Sequence, residues 1–329
     1  MSRILRVLKT KIRRFVNQLG STKVFVSKGI VEKYGNNPVL GDKTTGTLFD
    51  PCVIKHEDVY RMFVSRRENN DVALYESLNG VDWEYVDVAL NPSLHDKWDK
   101  IVNRVSVLKL DETTWYMWYT GQNKNESAIG FATSVDGVHF SRYMDDPVIV
   151  PRYSQGEEAA MNPCVIRQDS CYVMFYAAGE NYEPDYICQA RSCDGIEWKI
   201  EEGSIFKADP MRPFEQYKVG GGCVLRHGAY LYLFYIGYKN LDVAHICVAR
   251  SIDGGTNWLR AKHPIIVPSK NEWDCHAVYK AHVCLEENRL LLWYNGRRNK
   301  EEYIGFAICD DFAKLDELFV SEDEPSRTV

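Results

Sequence analysis

The sequence has no Cys-x-x-Cys pair and no Cys/His spacing of the kind that holds a metal, although it contains 10 Cys and 8 His. That removes the zinc-ribbon and redox-motif classes, and neither a metal nor a cofactor is expected. A secretory signal is also missing, since no apolar core is followed by a small-residue cleavage site. No apolar run is long enough to cross a bilayer. A basic excess is absent as well: Lys and Arg total 40 against 46 Asp and Glu, a net charge of -6 at pH 7. Nucleic acid is therefore excluded as the main partner. Several cysteines recur inside apolar strand runs, at Cys52, Cys164, Cys223 and Cys284. Free cysteine behaves there as a small buried hydrophobe, and together with the missing signal this predicts a reducing cytoplasm.

What is present is a large core and many rings. Hydrophobic residues make up 45% and charged residues 26%, the balance of a globular chain. Aromatic content is 12%, with 20 Tyr and 8 Trp, which suits strands and stacking surfaces better than a helical bundle. A length of 329 residues allows one large all-β domain or two ordinary ones. Internal repeats decide between them.

Five segments align: FDPCVIKHEDVYRMFVS from Phe49, NRVSVLKLDETTWYMWYTG from Asn103, MNPCVIRQDSCYVMFYAAG from Met161, GGCVLRHGAYLYLFYIG from Gly221 and YKAHVCLEENRLLLWYNG from Tyr279. Each reads as an apolar strand, a polar turn and a second strand ending in aromatics, which is a β-hairpin. A third strand follows in every repeat, as DVALYES, SAIGFATS, YICQARS, AHICVARS and YIGFAICD. Four repeats then carry a tight turn and an aromatic, from Ser77, Ser134, Ser192 and Ser251. Asn-Gly and Asp-Gly accept positive φ, so a fourth strand begins near each aromatic. The pattern predicts an all-β chain, a five-bladed β-propeller of four-stranded antiparallel blades over 49–312. A lead-in at 21–48 and a tail at 313–329 flank it. The Ser-x-Asp-Gly turns are read as fold-building, with the Asp or Asn closing its own turn and the aromatic packing between blades.

Strand alternation assigns the faces. The starts of the first strands and the loops from second to third strand share one face, and the Asp-Gly turns lie on the other. First strands line the channel of a propeller, so Asp50, Arg104, Asn162, Gly221 and Lys280 are expected to converge at its mouth, beside Asn103 and Tyr279. Upstream of each first strand but blade one's lies an acid, usually beside an aromatic: Trp98-Asp99, Glu157-Glu158, Phe214-Glu215 and Trp273-Asp274, with His276 close by. Acids bind hydroxyls and rings stack on sugar C–H faces, so these pairs predict an oligosaccharide or glycan site. Arg66, Arg67, Arg297 and Arg298 end second strands of blades that become neighbours when the ring closes. Guanidinium pairs of this kind predict a rim for inorganic phosphate, a sugar phosphate or another anion.

Residues 1–20 stand apart. Ile4, Leu5, Leu8, Ile12, Phe15, Val16 and Leu19 fall at helical spacing, while Arg3, Arg6, Lys9, Lys11, Arg13 and Arg14 bring no acid among them. This predicts a short amphipathic helix and peripheral contact with an anionic membrane at its inner surface.

With Phe49-Asp50-Pro51 opening the first blade and Ser-x-Asp-Gly-x-x-Trp turns, the sequence resembles the five-bladed propeller glycosidases over roughly residues 40–312. These comprise arabinanases and xylosidases, invertases and levansucrases, and mannoside phosphorylases. The stretches WDKIVNR, FEQYKVGGG and WDCHAVYKA are most similar in style to the mannoside phosphorylases. The resemblance implies that Asp50 acts as base or nucleophile. It also implies an acid two residues before a third-blade proline, where this chain has Met161, with Glu157 and Glu158 upstream. The second-blade position that could carry a carboxylate holds Arg104. The expectation is a glycoside hydrolase or phosphorylase, inverting, with Asp50 as base and Glu158, ahead of Glu215, as proton donor. Glycan assembly at the inner membrane surface and sugar binding without turnover stay open as alternatives.

Overall fold

The computed structural model describes residues 25–26, 29–94, 97–124, 126–180 and 184–319. The expected helix of residues 1–20 lies outside the described residues. Blade 1 is Leu48–His56, Val59–Arg66, Asp71–Ser77 and Glu84–Leu90, antiparallel from the axis outward. Blade 2 is Ile101–Asp111, Thr114–Gln122, Ser127–Ser134 and Ser141–Arg142, and blade 3 is Ala159–Gln168, Cys171–Gly179, Tyr186–Ser192 and Lys199–Ile200. Blade 4 is Lys218–His227, Tyr230–Tyr238, Ala244–Ser251 and Leu259–Arg260. Blade 5 takes three strands from its own repeat, Ala277–Glu286, Arg289–Arg298 and Glu301–Cys309. Its outer strand is Glu32–Tyr34 of the lead-in, which pairs antiparallel to Glu301–Cys309. The five inner strands touch in cyclic order, so the ring is closed.

The turn motif holds neighbouring blades together. In each copy the Ser hydroxyl donates to the Asp or Asn side chain, which in turn accepts backbone N–H groups of its own turn. The following aromatic packs on the second strand of the preceding blade. Trp83 meets Trp293, Phe140 meets Phe63, Trp198 meets Trp118, and Trp258 meets Phe175, with centroids 5.7 to 6.2 Å apart. Trp118 and Trp293 also donate their indole N–H to the carbonyls of Gly195 and Gly80 across the same seams. The fold-building reading of these turns is what the packing shows.

Every inner strand is bulged near its start, between Phe49/Cys52, Asn103/Ser106, Met161/Cys164, Gly220/Cys223 and Tyr279/Ala281. A bulge inserts one residue and re-aims its side chain. At three of the five the inserted residue is non-glycine with positive φ: Asp50 at 52°, Arg104 at 51° and Asn162 at 55°. Such backbone costs about 1–3 kcal/mol per residue and persists where surroundings enforce it. Here the preceding blade does so, since Arg104 N–H donates to Ser65 Oγ and Asn162 N–H to Thr120 Oγ1. The fourth position must be glycine for a different reason: a Cβ on Gly221 would stand 2.3 Å from the Cβ of Asn162. Two residues further along, Cys52, Ser106, Cys164, Cys223 and His282 occupy equal register in the channel.

Candidate active site

The bulges deliver their side chains to one pocket of about 440 Å³ at the channel mouth. Asp50 sits at its centre. Arg104 Nε lies 3.1 Å from Asp50 Oδ2, and Asn162 Nδ2 donates to the same oxygen at 3.2 Å. Arg104 is fixed further by donating Nη1–H to Asn103 Oδ1 at 2.9 Å, and Asn103 itself donates to Gln122 Oε1. Phe49 separates two like charges: the guanidiniums of Arg67 and Arg104 lie 4.8 and 5.3 Å from its ring centre. Arg67 reaches across the closure seam to Glu302 of blade 5, at 2.9 Å. Lys218, Tyr238, Tyr279 and Asn295 complete the polar wall. Burial pushes the Tyr279 phenol up to about 12, so it enters as a hydrogen-bonding hydroxyl.

Of the predicted residues, the pocket brings together Asp50, Arg67, Arg104, Asn162 and Tyr279, with Asn103 behind them. Lys280 is at the expected register but 3% exposed, and its ammonium finds no hydrogen-bond partner among the described residues. Arg297 lies over the Tyr279 ring and donates to the Asp242 carbonyl. The other rim residues are elsewhere. Arg66 is held in a two-bonded pair by Asp71 of its own blade, and Arg298 borders a separate surface hollow with Lys43 and Lys300. His276 is exposed and accepts the Asn299 N–H. The anticipated double-arginine rim is thus one arginine, Arg67, turned into the mouth.

The acid-aromatic pairs are corrected more fully. Asp99, Glu157, Glu215 and Asp274 are all 1% exposed or less. Each is tied to a cation on the blade flank: Asp99 to Arg142 at 2.6 Å, Glu157 to Arg152, Glu215 to Arg260 at 2.8 Å, and Asp274 to Lys33 at 2.6 Å. Arg142, Arg260 and Lys33 are register equivalents on three outer strands, facing Ala132, Ala249 and Ala307. Blade 3 has Ile200 there, opposite Ala190, and Arg152 supplies the guanidinium instead. Trp98 stacks on Tyr119 and Trp273 lies tilted against Tyr294 inside their blades, and the two indoles pack against Gly121 and Gly296. The four-fold recurrence is therefore a structural latch. Glu215, whose carboxyl burial pushes up, is sealed away from the mouth. Glu158 is exposed on its loop and does not line the pocket.

Sequence reasoning missed Gln122, Lys218, Tyr238, Asn295 and Glu302. Glu302 matters most, as the second carboxylate in the pocket. It accepts from Arg67 on Oε1 and from Asn295 on Oε2 at 2.8 Å, and its burial pushes its carboxyl up, helped by the charge of Asp50. Its signal was positional, because Glu302 pairs across the hairpin with Arg297, on the loop face already assigned to the mouth.

Comparison with known proteins agrees with this architecture. Residues 77–209 match the glycosyl hydrolases family 32 N-terminal domain, a span that includes Arg104 and Asn162 and leaves out Asp50 and Glu302. A β-1,2-mannobiose phosphorylase of Thermoanaerobacter sp. (strain X514) is 25% identical over 154 residues, 42% of this chain and 51% of that one. An uncharacterised Mycobacterium tuberculosis protein is 29% identical over 138 residues, 39% of this chain and 44% of that one. The chain thus spans about half the length of the curated relatives it matches. Among solved structures, the Listeria innocua β-1,2-mannobiose phosphorylase superposes with TM-score 0.70 at 13% identity, covering 88% of this chain and 99% of that one. A Bacteroides ovatus glycosyl hydrolase does so with TM-score 0.68 at 13% identity, covering 86% and 94%. The class that the fold defines is the five-bladed propeller, an architecture shared with solved glycoside hydrolases and phosphorylases. Within it, this chain is similar in sequence to a mannoside phosphorylase and in fold to phosphorylases and hydrolases alike.

Proposed function

We propose that the chain cleaves or transfers a glycosidic bond of an oligosaccharide at the channel mouth, with inorganic phosphate as the attacking group and inversion at the anomeric carbon. The observation that carries this reading is the charge around Asp50. Three cations, Arg67, Arg104 and Lys218, line a pocket holding two carboxylates, and Arg104 occupies the place of a second-blade acid. Such a wall suits a phosphate dianion beside one working carboxylate better than a water held between two acids. Asp50, oriented through Oδ2 by Arg104 and Asn162, faces the positive charge that builds at the anomeric carbon. If water attacks instead, Asp50 is the group that takes its proton.

The named relatives make a β-1,2-linked mannoside the first substrate to try. Purified chain is incubated with β-1,2-mannobiose with and without phosphate, and mannose 1-phosphate and mannose are measured. Phosphate-dependent mannose 1-phosphate supports the reading. Mannose alone, independent of phosphate, replaces phosphorolysis by hydrolysis, and binding without either product leaves a sugar-binding propeller. We further infer a cytoplasmic chain from the cysteines in its strand runs, and peripheral contact with an anionic membrane surface from the basic stripe of residues 1–20.

A further inference from the structure

We propose that Glu302 is the proton donor of this pocket and that Asn295 is its positioning residue. The proposal rests on the functional reading above. Three structural observations converge on it. Glu302 lines the same pocket as Asp50, whereas Glu157 and Glu215 are locked in flank latches and Glu158 is outside the pocket. Its side chain keeps 13% exposure, enough to meet a ligand while sheltered from bulk water. The third observation is an orphan. Asn295 Nδ2 donates to Glu302 Oε2, yet Asn295 Oδ1 is buried with no hydrogen-bond partner among the described residues.

Buried polar atoms are seldom left unpaired, and each such case calls for an explanation. Turning the Asn295 amide by 180° keeps its shape and exchanges oxygen for nitrogen. The carbonyl then faces Glu302 and accepts the O–H of a protonated carboxyl. Asn295 thus has a partner for either state of Glu302, N–H for the carboxylate and C=O for the acid. A group that must alternate between the two during each turnover needs such a neighbour. Burial, which disfavours the charged form, acts in the same direction. Arg67 opposes it, and keeps the spent carboxylate from being stranded without a counter-charge.

The Glu302 proton passes to the glycosidic oxygen as its bond to the anomeric carbon breaks, and the bond's electron pair stays on that oxygen, which leaves as an alcohol. A phosphate oxygen supplies the pair for the new bond on the opposite face. Glu302 is left as a carboxylate and regains a proton from solvent.

The test compares leaving groups. Parent, Glu302→Gln, Asn295→Leu and Asp50→Asn are assayed with phosphate on β-1,2-mannobiose, whose sugar alcohol needs a proton to leave, and on 2,4-dinitrophenyl β-mannoside, whose phenolate does not. Circular dichroism and thermal melting confirm folding. Glu302→Gln is expected to lose about 10²–10⁴-fold on mannobiose. It should stay within a few-fold of the parent on the dinitrophenyl substrate, and its fall in rate at high pH should vanish. Asn295→Leu should shift that fall along the pH axis without removing it. Equal loss by Glu302→Gln on both substrates, or no loss on either, overturns the assignment of Glu302 while Asp50→Asn remains inactive. A fully active Asp50→Asn, or a parent that turns over neither substrate, overturns the reading of the pocket itself.

Discussion

Replacing Lys33 by Met tests whether the flank latch closes the ring. Lys33 lies on the lead-in strand, and its ammonium meets Asp274 Oδ2 at 2.6 Å, Ser269 Oγ at 2.8 Å and the Val267 carbonyl at 2.6 Å. Asp274 is fully buried, and its remaining partners are the Tyr294 hydroxyl and the Ser269 N–H. Methionine fills a similar volume but leaves that carboxylate without its counter-charge. Breaking a buried pair from one side costs about 3–5 kcal/mol, against about 0–1 kcal/mol for a surface pair. Lys33 is 17% exposed, so the lower half of the larger range applies. Unfolding entropy of about 2.1 cal/mol/K per residue over 329 residues converts each kcal/mol into about 1.4 °C, so the melting temperature should fall by about 4–6 °C. Hydrogen exchange adds the local signature: amides joining the lead-in to blade 5, among them Leu40 and Ile304, should open before the other blades. Asp274→Asn in the same chain should restore part of the loss. A drop below about 1 °C, or uniform exchange across blades, would show that the pair contributes no more than a surface contact and that apolar packing alone closes the ring.

Three further outcomes are expected. Arg104→Ala and Lys218→Ala should each raise the phosphate KM at least ten-fold in the phosphorolysis assay, because a charge-assisted bond contributes about 1.5–3 kcal/mol; an unchanged KM would move phosphate elsewhere. His282, inside the channel, is held down to about 3 by burial and by the nearby charge of Lys280. Below its ordinary 6.5 the unfolded chain takes up a proton that the folded chain refuses, so stability should fall by up to about 1.4 kcal/mol per pH unit between about 6.5 and 3; urea midpoints of His282→Gln should show that slope reduced. Deleting residues 1–20 should abolish co-sedimentation with vesicles containing phosphatidylserine at low salt; retained binding would assign the membrane contact to the rest of the chain.

Blade number and face were legible because they depend on local, repeated chemistry. Hairpin turns and alternating strands recur at nearly fixed spacing, so Asp50, Arg104 and Asn162 could be aligned without coordinates, whereas the bulges that carry them leave no such mark. The same regularity misled the reading of Asp99, Glu157, Glu215 and Asp274. Recurrence marks what every blade needs, and a site needs what only one blade has. Their cations lie between 5 and 241 residues away in the chain, three of them on flanking strands whose register no local pattern announces. Glu302 was hidden for the opposite reason: it occurs once, beside Glu301, and only the closure of blade 5 against blade 1 brings it to Arg67.

The outer strand of blade 5 is made almost a whole chain before its partner, since Asn37 bonds Phe306 across 269 residues. At about 5–20 residues per second of synthesis, residues 32–40 wait about 15–50 s for the strand they must join. Four blades are complete in that interval while the first stretch of the fold has nothing to pair with. A permuted gene that begins at Leu48 and carries residues 29–47 after Phe319 would place that stretch next to its partner in time as well as in space. It should refold faster than the natural order, because pairing the lead-in with blade 5 then closes a short loop instead of a chain-length one.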